Sequence, residues 1–381
     1  MTTLCSLALV ACLVLLFAPL ALAQASPANE KFHDTTDWQV VPSPTFDALC
    51  LINILSGDAF YLTYYQSDFD ALSPRLTPAA RAALAALKRK IKDEKGNIPS
   101  AFLTLYFSAV EHHTLDDLLA ILAESGPMQA ALRKTSYYSD SGWHLYESVR
   151  PDLKTYLLWL KEIQFESYWQ QQVRPRLERK LVEIQAELPR YNIVPRIERA
   201  LGSPLPSDRI TVFLLQYSQP HGIRITGTRF LTDVAWPFRI VLRNAVHEMM
   251  HPPYDLAADA DLRAALDRLR KDSFLMDRVR NHNSAFGYNS FEGFVEEDCV
   301  QALEQALNDG LGIAQDPRQR WKASDDGMHV LAVALYSLMQ QENFASGRES
   351  LRAFLIRMAR SGRLAPGRIQ PLYDAFYAAS P

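Results

Sequence analysis

Glycine is scarce in this chain: 15 of 381 residues, set among many leucines and alanines. That scarcity argues against a sandwich or barrel built on tight turns, and for helices. Cysteine is also scarce, with 4 in all, too few for a disulfide-scaffolded fold. There is no basic excess. The formal net charge is -3, so a general nucleic-acid binder is not expected. No fixed repeat period appears, which excludes solenoids and propellers. What is present is apolar material: 48% hydrophobic against 22% charged residues, enough for a sizeable core.

The one long apolar run lies at the start. Residues 1–23 carry no charge, and Leu7 to Ala23 is nearly continuous hydrophobic sequence broken by Pro19. It ends Ala21-Leu22-Ala23, the small-residue pattern of a signal-peptidase site, with another such site after Ala25. The run is short for a bilayer span. Residues 1–23 are therefore expected to be an export signal. The mature chain would then be periplasmic or secreted and hold no membrane segment. Export would leave Cys50 and Cys299, either paired across a long loop or as separate buried thiols.

The expected fold class is α+β, mostly α. Residues 24–46 look like an extended leader, rich in Ser, Pro, Asp and Thr. Residues 24–206 then form a helical N-terminal region. Within it, Thr77-Pro78 opens a helix that Gly96 stops, and Thr114 with Asp116 and Asp117 opens another. A long amphipathic stretch runs from Pro151 to about Glu187, with a break expected at Pro175. Residues 207–381 form a second domain. Its short sheet has a buried strand at 209–215 and an alternating, half-exposed strand at 222–230. Helices follow, among them 238–251 and 289–309.

The chemistry is concentrated at His247-Glu248-Met249-Met250-His251, an HExxH sequence. Residues four apart lie one turn along the same helix face. Two imidazoles so placed can bind one Zn2+, and the Glu between them can deprotonate a water. Asn244, His247, Glu248 and His251 make a polar stripe among Val241, Leu242, Ala245, Val246, Met249 and Met250. A polar stripe on an apolar helix implies a buried helix facing something polar. Zinc needs a third protein ligand, and no His follows closely after His251.

A new helix begins at Phe291-Glu292-Gly293-Phe294-Val295-Glu296. With the HExxH sequence, this segment resembles the gluzincin zinc metallopeptidases, in which a Glu on a later helix is the third ligand. Glu292-Gly293-Phe294-Val295 is similar to the Glu-Gly-Phe-Ala segment of the aminopeptidase N-like branch. The resemblance covers roughly residues 207–340 and implies a zincin-like domain. It makes Glu292 the third ligand, with Glu296 as its rival. In the expected arrangement Glu296 instead accepts a ligand-histidine N–H from outside the coordination sphere, and Asn244 is a further supporting residue. In such folds an edge strand binds substrate as an added strand, and 222–230 is the candidate. Asp325-Asp326-Gly327-Met328-His329 resembles the Asp-Asn-Gly…His stretch of thermolysin-like enzymes, which makes His329 a candidate donor to the developing oxyanion. Tyr288 and Tyr336 are others. No Gly-x-Met-Glu-Asn segment is present, which leaves endopeptidase action or an unusual specificity open. The expected function is an exported zinc metallopeptidase acting on a peptide or protein substrate. The alternatives are a non-catalytic zincin-like metal-binding protein and a helical interaction protein.

Overall fold

The computed structural model describes residues 31–378 apart from 284, 285, 287 and 348. The expected export signal at 1–23 lies outside the described residues. The described chain is mostly helical with one small mixed sheet, so the α+β, mostly α class holds.

The sheet has four strands in the order β1-β2-β4-β3. They are β1 (Asp37–Pro42), β2 (Arg209–Leu215), β3 (Ile223–Ile225) and β4 (Arg229–Asp233). β1 and β4 both run parallel to β2, and β3 runs antiparallel to β4 along the edge. The predicted strand at 209–215 is β2. Its Ile210, Val212 and Leu214 are fully buried, as a period-2 pattern demands. The segment expected as one strand at 222–230 holds β3 and the start of β4. Gly227, at φ +72, turns the chain between β3 and β4, a conformation L side chains rarely adopt.

β1 corrects the expected leader. Its residues pair with β2 in the register Val40↔Val212, so the sheet draws its first strand from the segment read as irregular. The Trp38 indole donates to the Tyr191 carbonyl at 2.9 Å and fixes the strand further. The described residues from Phe32 onward form one compact unit. The physical reason is the crossover. Two parallel strands need a long connection, and the helical region 44–201 supplies it.

The helix starts follow their caps. Thr77 accepts from the Ala80 N–H and opens Pro78–Lys88, while Thr114 and Asp117 form a capping box on Leu115–Ala123. Between 140 and 187 the main break falls at Gln164, at φ 57, and not at Pro175. Pro151 sits inside the helix Asp140–Glu162, and Pro175 lies in the first turn of Arg174–Glu187, where its missing N–H is harmless. Cys50 and Cys299 are separate buried thiols. Among the described residues no single helix is long and apolar enough to cross a membrane.

Candidate metal centre

Two helices build the site. Phe238–Met249 carries the HExxH sequence and buries Val241, Leu242, Ala245, Val246 and Met249. His251 lies just past its end rather than as its last residue. Phe291–Leu311 packs against it and is capped by the Ser290 hydroxyl, which accepts from the Gly293 N–H at 3.1 Å.

The two imidazoles converge. The Nε2 atoms of His247 and His251 lie 3.1 Å apart. The Glu297 carboxylate reaches both, at 3.7 Å from His247 Nε2 and 3.4 Å from His251 Nε2. Two zinc bonds of about 2.0–2.1 Å at a tetrahedral angle place their ligand atoms roughly 3.3 Å apart. The observed separations scatter around that value. Among the described residues this is the one such group. Glu297 Oε2 is buried and lacks a hydrogen-bond partner, an orphan that a cation at this point would satisfy. The residues therefore fit zinc.

Each histidine is held by its other nitrogen. His247 Nδ1 lies 3.2 Å from Glu304 Oε2, and His251 Nδ1 lies 3.3 Å from Glu296 Oε1. Carboxylates on Nδ1 fix ring orientation and make Nε2 a better ligand. Glu304 is itself tied to Arg320, and Asn308 Nδ2 donates to its other oxygen at 2.9 Å. Burial opposes its charge, but Arg320 and His247 hold its pKa down at about 2. Glu297 behaves alike. Burial resists ionisation, yet His247 and His251 beside it hold it well below the usual carboxylate range. Burial also works against a proton on His251, and the Glu296 and Glu297 carboxylates overcome it, pushing that group up to about 10. The field at this point favours positive charge, as a divalent cation requires.

The third carboxylate thus differs from the expected one. Glu292 occupies the exposed first turn of its helix and pairs with Arg270, whose guanidinium stacks 4.0 Å over the Phe291 ring. Glu297 and Glu304 face the histidines, and Gln301 and Asn308 hydrogen-bond to them along the same stripe. Their spacing of four, three and four is itself a helical face. Glu296, at the border of that stripe, reaches His251 Nδ1.

Glu248 is buried, 8% exposed, and its carboxylate lies against the Gly222 backbone just before β3. A Cβ on Gly222 would come within 3.0 Å of Glu248 Oε1 and 3.1 Å of Asn244 Nδ2. Asn244 therefore shares the wall on which Glu248 sits. Arg224 of β3 donates to the Glu248 carbonyl at 2.6 Å and ties the edge strand to the HExxH helix.

The three candidate oxyanion donors separate clearly. His329 is buried, and both its nitrogens are taken: Nδ1 by Asp298 at 2.7 Å and Nε2 by Asp325 at 2.9 Å. Burial opposes its charge, but these two acids push its pKa up to about 10. Asp298 also caps the helix Val330–Gln341 through the Leu331 and Ala332 N–H groups. His329 is thus a clamp, not a free donor. The Tyr336 hydroxyl donates to Asp309 at 2.6 Å. Tyr288, at φ 57, is the one beside the centre, where burial and the Glu297 carboxylate push its hydroxyl pKa well up. Compared with protein-family models, with curated proteins and with solved structures, the chain has no match.

Proposed function

We propose that this chain is an exported zinc-dependent peptidase of the gluzincin type. The reading rests on one observation: two Nε2 atoms and the Glu297 carboxylate converge, with Glu248 between the histidines and against the edge strand. His247, His251 and Glu297 would hold the ion. Zinc so held supplies Lewis acidity, which polarises a peptide carbonyl and acidifies water. Glu248 receives the proton released by the attacking water and passes it to the leaving amine. β3 runs antiparallel to β4 at the sheet edge, and a peptide laid along it would bring a backbone carbonyl past Gly222 toward Glu248. Tyr288 donates to the oxygen on which negative charge grows. A zincin-like domain describes this pairing of sheet edge and HExxH helix.

The test is metal content followed by activity. Purified protein should hold about one zinc per chain, and His247→Ala should lose it. Cleavage of a peptide library by wild type, abolished in Glu248→Gln with zinc retained, supports the enzyme. Zinc without cleavage makes the chain a metal-holding scaffold, and absence of zinc defeats both readings. N-terminal sequencing of exported protein tests the signal, with Gln24 or Ser26 as the expected first residue.

A further inference from the structure

A second site lies on the face of the sheet formed by alternate residues of β1 and β2. There Gln39 and Val41 stand beside Thr211 and Phe213 and floor a cleft of about 690 Å³. Phe46 and Trp169 add apolar wall, and Arg229 of β4 also lines the cleft. None of the lining residues belongs to the metal centre.

Arg229 is the unusual feature. Its Nε donates to the Thr226 carbonyl at 2.8 Å, and its Nη2 to the Ser108 carbonyl at 2.6 Å and to the Thr226 hydroxyl. These neutral acceptors fix the guanidinium in place. Nη1 has no protein partner among the described residues, and no carboxylate pairs with the side chain. Half-buried cations are normally matched by an anion. Burial, and after it the positive charge of Arg224, push its pKa down. Among the lining residues Glu111 is the one acid. It points to solvent, 86% exposed, and pairs with His113. Arg174 adds a second positive charge at the cleft, shared with Glu178.

We propose that this cleft binds a small organic carboxylate with an apolar body, its carboxylate on Arg229 and its hydrocarbon against Val41 and Phe213. The guanidinium edge, held by backbone carbonyls, needs no reordering to receive an anion. Val41 and Phe213 give a hydrocarbon a surface to cover, which favours an organic acid over a free inorganic anion.

Isothermal titration calorimetry on the full chain tests this with 4-phenylbutyrate, octanoate and the uncharged 4-phenylbutanamide. At least one acid should bind saturably at one site per chain, with Kd on the order of 0.1–1 mM for a ligand of this size. The amide should bind at least tenfold more weakly. Arg229→Met should weaken the acid at least tenfold. Ala109→Trp, which crowds the cleft from the turn beside Ser108 and keeps the arginine in the chain, should do the same and keeps the test decisive if Arg229→Met misfolds. His247→Ala should leave the affinity unchanged. The proposal falls if neither acid saturates, if the amide binds as well as the acid, if Ala109→Trp changes nothing, or if His247→Ala abolishes binding and so places the ligand at the metal centre.

Discussion

Glu297 and Glu292 lie five residues apart on one helix, and their fates separate two versions of the metal centre. Glu297 is 2% exposed and sits between two imidazoles, whereas Glu292 faces solvent with Arg270. Glu297→Gln should strip zinc from the protein or weaken it by several orders of magnitude. Glu292→Gln should keep full occupancy, and a competing chelator titration reads both. Glu304 acts one step further out. Glu304→Gln keeps the shape but weakens the hold on His247 Nδ1, so zinc affinity should fall about 10–100-fold. Gly222 tests the general base from the other side. Gly222→Ala puts a methyl 3.0 Å from Glu248 Oε1, so peptide cleavage should drop at least tenfold while zinc content stays at wild-type level. Loss of zinc in that variant would show that Gly222 supports the ligands rather than the base. At this scale much was legible. HExxH is local, and although the helix stops at Met249 the Met250 turn still brings His251 onto His247. The carboxylate that meets both histidines was not, because two interleaved acidic stripes share the helix and only packing chooses between them. The polar run Glu297, Gln301, Glu304, Asn308 on an otherwise buried helix was the available signal.

Elements were readable where a side chain caps or breaks them. Thr77, Thr114 and Ser290 each accept from an N–H in the first turn of their helices, and the first two helices begin at the residues their sequences indicate. Elements defined by distant pairing were not readable. β1 has a leader-like composition and becomes a strand because β2 lies beside it, 172 positions away in the pairing of Asp37 with Arg209. The β3–β4 turn left a fainter mark: Ile223 and Ile225 are apolar at odd positions and Phe230 at an even one, a phase shift across Gly227 that a single-strand reading passes over. The Ser290 cap sets the start of the helix that carries Glu296, Glu297 and Glu304. Ser290→Ala leaves the Gly293 N–H without its partner and should cost about 1 kcal/mol, measured by chemical denaturation of the metal-free protein. Zinc stoichiometry should not change, since the ligands begin two turns further on. A loss of zinc at wild-type stability would overturn that separation of roles.

Across the whole molecule, the sheet is what unites the helical N-terminal region with the part that bears the metal centre. His112 reports on that union, because it joins the loop after one helix to the start of another. It is buried, 9% exposed, and its Nδ1 lies 2.9 Å from the Thr45 hydroxyl. Its ring meets Phe46 and Phe107 edge to face. Burial, with the positive charges of His113 and Arg229 and against the pull of Asp117, lowers its pKa from 6.5 to about 4. The sign follows directly. Between pH 4 and 6.5 the unfolded chain holds a proton on this ring that the folded chain refuses, so stability rises with pH across that window and is flat with respect to His112 above it. Carboxylates titrate in the same range, and the difference between wild type and His112→Gln isolates the histidine. From pH 7 to pH 4.5 the wild type should lose about 2–3 kcal/mol more unfolding free energy than the variant, as read by urea denaturation at each pH. Equal losses in the two proteins would mean that His112 gains its proton without unfolding its surroundings. The packing of Thr45, Phe46 and His112 would then not hold the N-terminal helices to the sheet.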